Sequence, residues 1–274
     1  MKILKIEQFI NEQFSENQIS KYNLVYNEST GLYDCNGNVK VEKDLVTADG
    51  KFLIKFGVVK GNFNCFDIKL TSLAGAPKEV GGNFVCCYNQ LTSLEGAPQK
   101  VGGYFDCSNN QLITLAGATQ EVGGSFDCGY NKLTSLEGAP KEVDRYFDCG
   151  NNNLTSLEGA PQKVGMSFYC SNNQLTSLKG APQEVGGDFD CAGNIITSLE
   201  GAPKKVGGGF YCDGNELKSL EGAPQEVGGD FDCSQNQFIY DEKHFYSLLP
   251  NVIGYDLEAD DGCDYELAKE YYRS

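Results

Sequence analysis

The sequence predicts a repeat solenoid built from short parallel β-strands, and three observations predict it. Cys65, Cys86, Cys107, Cys128, Cys149, Cys170, Cys191, Cys212 and Cys233 are spaced by 21 residues without exception. Around each the same phrase returns, V-G-G-x-F-x-C-x-x-N-x-L-T-S-L-x-G-A-P, as in VGGDFDCAGNIITSLEGAP from Val185. Most of the 33 glycines fall into this phrase, as a pair after the valine or singly before the alanine. A constant period over residues 59 to about 240 means that each unit is one structural turn, able to bury its apolar edge only against its neighbours.

Each part of the unit follows from its spacing. Phe105 and Cys107 alternate as a strand does, placing both side chains on one face. Asn110 then turns the chain, because its amide can bond free backbone groups inside the curve. Leu112 and Leu115 fill the layer beneath. Proline and the paired glycines route a return segment too short and too glycine-rich for a helix. With its N-x-L-x-x-L core, the unit resembles the short, bacterial-type leucine-rich repeats. Cysteine and phenylalanine stand where two leucines would, and one extra residue gives 21 per turn. The resemblance implies a parallel β-sheet on the concave face, a mostly non-helical convex side, and a generic binding scaffold rather than one activity.

Both flanks suit the covering of solenoid ends. Residues 33–60 read as an N-terminal cap with one degenerate rung: Val39 and Val41 alternate, Asp44 takes the asparagine slot, and Asn36-Gly37 and Asp49-Gly50 supply turns. Residues 61–240 hold the nine units. Residues 241–274 form a C-terminal cap with short helices expected over 242–249 and 264–273, the first carrying His244.

Residues 1–32 read as an amphipathic helix and linker, with Ile3, Ile6, Phe9 and Ile10 on one helical face. The opening MKILKIEQFINE resembles the N-terminal prohead-targeting peptide (M-K-x-x-x-x-F-I-x-E) of internal proteins in large tailed phages. That resemblance implies proteolytic processing after Ile10-Asn11-Glu12. The same phages carry proteins with 21-residue repeats of the LTSLEGAP kind, which the phrase here also resembles.

Twelve cysteines in a secreted chain would suggest disulfides, but nine of these occupy one inward slot per rung. A stack of identical inward sites is a packed column of small apolar side chains, and in-register parallel strands make pairing awkward. Reduced cysteines in a reducing compartment are therefore expected, either a host cytoplasm or a virion interior. Cys87, beside Cys86, is expected to point outward and to be the most reactive.

Composition excludes several functions. Net charge is −16, from 38 acidic and 22 basic residues, which opposes attachment to nucleic acid through phosphates. No apolar run reaches 18 residues, and the first 15 lack the apolar region of a secretory signal. One histidine rules out a triad or a three-histidine metal site. With no nucleophile–base pair, phosphate loop or C-x-x-C metal spacing, the chain reads as a non-enzyme without cofactor. Stacked carboxylates could supply oxygen ligands to calcium. Yet no unit carries a calcium loop, and DLEADDG (residues 256–262) places its glycine one position late for one.

Function therefore rests on the strand positions that packing leaves free. Between Phe and Cys stand Asp106, Asp127, Asp148, Tyr169, Asp190, Tyr211 and Asp232; before Phe stand Tyr104, Tyr146, Asp188 and Asp230. Parallel strands lie about 4.8 Å apart, so Asp106, Asp127 and Asp148 form a column of like charges that opposes ionisation. The expected face is acidic, dotted with tyrosine, and open. It can be solvated filler copied with the repeat, or a surface that docks a basic protein through Tyr104, Asp106, Asp127, Asp148, Tyr169, Asp188, Asp190, Tyr211, Asp230 and Asp232. Two alternatives stand beside it: an acidic mimic of nucleic acid that occupies a DNA-binding host enzyme, and a packaged internal virion protein. The repeats carry no signal that sets an oligomeric state.

Overall fold

The computed structural model describes residues 16–238 together with 251–252 and 257–258. In every unit the residues before the cysteine form a two-residue strand, from Phe63–Asn64 to Phe231–Asp232, and successive strands pair in parallel with phenylalanine opposite phenylalanine. These strands make an eleven-stranded front sheet that runs from Val39–Lys40 to Leu257–Glu258. The architecture is that of a leucine-rich-repeat solenoid.

The return segment holds a second strand that the glycine-rich sequence did not advertise. Residues ahead of each glycine pair, such as Lys100–Val101 and Glu121–Val122, pair in parallel as a back sheet. The glycine that follows allows the approach: a Cβ on Gly102 would stand 2.2 Å from the carbonyl oxygen of Gly81 in the rung before. Only a residue without a side chain tolerates that contact.

Inward side chains from both sheets merge into one core. Its spine is the phenylalanine column from Phe63 to Phe231, whose successive ring centroids lie 5.0 to 5.7 Å apart. Each ring is completely buried, contributing about 1.5–3 kcal/mol of hydrophobic stabilisation before stacking is counted. The nine cysteines line the same interior, and several thiols donate to the next rung's strand carbonyl, as Cys128 does to Asp148 at 3.1 Å.

The asparagine does more than turn one rung. Asn152 Nδ2 donates to the carbonyls of Cys149 (3.0 Å) and Gly150 (3.1 Å) in its own turn and of Cys128 (3.1 Å) in the one before. Its Oδ1 accepts from the backbone N–H of Leu133, 2.9 Å away. One buried amide thus satisfies four backbone groups that neither sheet reaches. The pattern recurs at Asn110, Asn173, Asn194 and Asn215.

At the N-terminal end a short helix, Glu16–Lys21, leads into Leu24–Asn27, which pairs antiparallel with Leu32–Cys35 and covers the edge of the back sheet. Val39, Val41 and Leu45 are buried, and Asp44 accepts from Tyr22 Oη at 2.7 Å and Lys21 Nζ at 3.1 Å, tying the helix to this rung. At the other end Asn251–Val252 and Leu257–Glu258 extend the back and front sheets past the last cysteine unit. Ile10, Glu12, His244 and the helices expected over 242–249 and 264–273 lie outside the described residues.

The front sheet is continuous, but the back sheet is divided into two six-stranded parts, between Glu121–Val122 and Glu142–Val143. Two sequence departures account for the division. Back-strand charges alternate elsewhere, giving cross-rung ion pairs such as Lys100–Glu121 (3.0 Å) and Lys205–Glu226 (2.8 Å), whereas Glu121 would face Glu142. Asp144 and Arg145 also replace the glycine pair, and the Asp144 side chain occupies the slot where Gly102 and Gly165 need none.

Candidate functional site

The aspartates of the front strands have a local structural cause. Asp127 Oδ1 accepts from the N–H of Gly129 (2.9 Å), Asp148 from Gly150 (2.8 Å), Asp190 from Ala192 (2.9 Å) and Asp232 from Ser234 (2.9 Å). Asp106 accepts from both the N–H (3.0 Å) and the hydroxyl (2.7 Å) of Ser108. Each carboxylate closes the turn at the end of its own strand, the use for which short acceptor side chains are favoured.

The strand register sets Asp106, Asp127, Asp148, Tyr169, Asp190, Tyr211 and Asp232 side by side in that order. The face is less open than the sequence suggests. Asp106 is 8% exposed, and Asp127 and Asp148 are half-buried. The reason is the tyrosines, which lie over the carboxylates instead of standing between them. Tyr104 Oη donates to Asp127 Oδ2 at 3.2 Å, and the rings of Tyr104, Tyr146 and Tyr169 follow one another at 6.0 and 6.3 Å.

Loss of water raises the proton affinity of this column. The Asp127 carboxyl is pushed up to about 7, first by burial and then by the neighbouring Asp148 carboxylate, with the Gly129 N–H opposing. Asp148 is raised by burial, again against its turn hydrogen bond. The Tyr104 phenol is held far above its ordinary range by burial and by the charges of Asp127 and Asp106. Near neutral pH the column is thus short of positive charge. Among the described residues, no group of three or more histidine, cysteine, aspartate or glutamate side chains is arranged to hold a metal ion.

A second cluster occupies the later rungs. Asp188 Oδ1 accepts from the N–H of Gly209 at 2.9 Å, and the Tyr211 ring lies across Gly209, where a Cβ would come within 2.4 Å of the phenolic oxygen. Gly209 stands where other rungs carry Tyr104, Tyr146, Asp188 or Asp230, and its missing side chain is what admits the ring. Asp230 is exposed and Asp232 half-buried.

Cys87 differs from the sequence expectation. It is 5% exposed rather than outward and accessible, and its thiol is raised by burial and then by a hydrogen bond with Asp106. The same slot is buried at Ser108, Gly129 and Gly150 in the rungs of the aspartate column, but exposed at Phe66, so Cys87 owes its enclosure to its place beside Asp106. All eleven described cysteines are buried.

Sequence reasoning missed the row two residues beyond the cysteines. Asp67, Tyr88, Asn109, Tyr130, Asn151, Asn172, Gly193, Gly214 and Gln235 all adopt positive φ. Asparagine and glycine take this conformation at little cost, whereas a tyrosine there costs about 1–2 kcal/mol. Tyr88 and Tyr130 nevertheless hold it, at φ 56° and 52°, with 55% and 60% of their surface exposed. They border an open groove of about 610 Å³ floored by Asn89, Asn110 and Asn131. The signal was present in the sequence as two aromatic residues in a slot otherwise dominated by Asn and Gly.

No family model matches the sequence, and no curated protein matches it. Among solved structures the chain is similar to YopM from Yersinia enterocolitica WA-314, with a TM-score of 0.46 and 14% sequence identity, over 81% of this chain and 65% of that one.

Proposed function

We propose that this chain is a non-catalytic protein-binding scaffold whose front sheet captures a basic protein. The observation that carries the reading is the column Asp106–Asp127–Asp148 under Tyr104 and Tyr146. Its carboxylates are crowded, partly dried and short of counter-charge. A lysine or arginine from a partner would relieve repulsion that the fold itself leaves in place, while the tyrosines supply contact area at low entropic cost. Tyr169, Asp188, Asp190, Tyr211, Asp230 and Asp232 extend the same surface along the solenoid.

This arrangement favours close docking of cationic side chains over the open display of charge that a nucleic-acid mimic requires, because Asp106 is enclosed and Asp127 is shielded by Tyr104. The partner would be met in a reducing compartment, in keeping with a column of cysteines buried in the core. A phage origin, with removal of the segment ending at Glu12, remains part of the proposal. It predicts a mature N-terminus at Gln13 in protein recovered from particles.

The test compares wild type with a variant in which Asp106, Asp127, Asp148, Asp190 and Asp232 are all replaced by Asn. Asparagine keeps the turn-closing acceptor and removes only the charge. A basic protein retained from lysate by wild type and released by the variant supports the reading; equal retention by both overturns it.

A further inference from the structure

The groove beside the aspartate column belongs to neither the core nor the carboxylate face. Its rims are Tyr88 and Tyr130, exposed and held in the left-handed conformation that asparagine or glycine fills in most other rungs. Tyr88 meets one neighbouring ring, that of the exposed Phe66, edge-on at 5.3 Å, and no core residue calls for a large ring in this slot. Conformational strain kept at an exposed aromatic is a pointer to a ligand.

The spacing says what kind. Tyr88 and Tyr130 are two rungs apart, hence about 9.6 Å along the solenoid at a strand spacing of about 4.8 Å. A polyproline II helix advances about 3.1 Å per residue and repeats every third residue, about 9.3 Å per turn. Two prolines in P-x-x-P register would therefore meet two tyrosine faces in step. Asn109 lies between the tyrosines, its side-chain amide placed to donate to a peptide carbonyl; its one side-chain hydrogen bond, to Ser108 Oγ, is long at 3.4 Å. The floor amides are committed inward, since Asn89 and Asn110 each bond several backbone groups. With the Oδ1 acceptors of Asn89 and Asn110 also used inside the turn, the groove suits a peptide whose prolines carry no N–H to satisfy, better than a hydroxyl-rich glycan.

Charge completes the match. Asp67 lines one end of the groove, Asp106 and Asp127 lie in the adjacent strands, and the chain carries a net charge of −16. On these grounds we propose that the Tyr88–Tyr130 groove binds a proline-rich peptide in polyproline II conformation, flanked by basic residues. The inference deepens the protein-binding reading by naming a partner chemistry, and rests on that reading while using different residues.

The probe is a fluorescein-labelled synthetic peptide with two prolines in P-x-x-P spacing and two arginines at one end, titrated with full-length protein and read by anisotropy. Saturable binding is expected, weakened at least about tenfold in Tyr88→Asn and in Tyr130→Asn. Asparagine suits the left-handed backbone, so both variants should melt no lower than wild type, which separates lost contact from lost fold. No saturable binding by wild type, undiminished binding by the double variant, or equal binding of a peptide with alanine for proline would each overturn the proposal. So would a neutral oligosaccharide that competes while the peptide does not. Failure of the aspartate-to-asparagine comparison with this titration intact would reject the carboxylate face alone; the reverse result would reject the groove alone.

Discussion

Tyr104 donates a hydrogen bond from its phenolic oxygen to Asp127 Oδ2, 3.2 Å away in the next rung, and the ring that satisfies the carboxylate also keeps water from it. The two effects oppose each other. Desolvation wins, since the Asp127 carboxyl ends near 7 despite its hydrogen bonds from Tyr104 and Gly129. A side chain copied with the repeat has become, at this one rung, a group that titrates near neutrality.

Asp127→Asn should therefore stabilise the protein. A shift from 3.8 to about 7 bounds the cost of ionisation at about 4 kcal/mol. A gain on the order of 1–2 kcal/mol is expected after weakening of the Tyr104 bond. The pH dependence has a definite sign. Between about pH 4 and pH 7 the folded state keeps a proton that the unfolded state releases, so this contribution is lost as pH rises through 7. Melting temperature should fall from pH 5 to pH 8 more steeply in wild type than in the variant; parallel profiles would refute the assignment.

Binding of a basic partner should show the opposite trend. A cation favours ionised Asp127, so capture should tighten between pH 6 and pH 8 and release a proton. Calorimetry in two buffers of different ionisation enthalpy measures the proton count directly. A count of zero at pH 7 would remove Asp127 from the contact.

Thiol chemistry gives a third check. Cys87 is enclosed and its thiol raised by burial and Asp106, so it should resist alkylation as completely as Cys86. Peptide mapping after iodoacetamide, with and without guanidinium, distinguishes the sites. Labelling of Cys87 in native protein at a rate near that of a free thiol would show that its burial beside Asp106 is lost in solution.

The asparagine column should be the most sensitive element of the backbone. Asn152→Ala removes four hydrogen bonds to buried backbone groups, and a loss of about 3 kcal/mol or more is expected at 1–3 kcal/mol for each group left unsatisfied and partly rehydrated. Denaturant unfolding measures it. A loss below about 1 kcal/mol would mean that water replaces the amide.

The divided back sheet can be repaired. Glu142→Gln would remove the like charge across the break, giving up only an exposed ion pair with Lys163 (3.5 Å), and Asp144→Gly would restore the close approach seen at Gly102. Together they should raise stability by up to about 1 kcal/mol, the scale of relieving a like-charge cross-strand pair. Slower amide exchange at Val122 and Val143 would identify a rejoined ladder, and unchanged exchange would place the cause elsewhere.

The sequence alone determined the solenoid, its rung length, the inward column of Phe and Cys, and the turning asparagine. Those are features of one unit, and a phrase copied nine times states its own local rules. Only the tertiary structure decided what happens between units. It showed the return segment to be a second sheet, because its strands are two residues long and visible only through their partners. It turned Asp106 from an open charge into an enclosed turn acceptor, because Tyr104 and Tyr146 lie across rungs instead of within them, and Cys87 from a reactive thiol into a buried one set against Asp106 of the next rung. It exposed Tyr88 and Tyr130 as rims of a groove, because left-handed backbone is set by the turn and not by residue type. Burial in a repeat protein is a property of stacking, and stacking joins residues 21 apart that no single rung brings into contact.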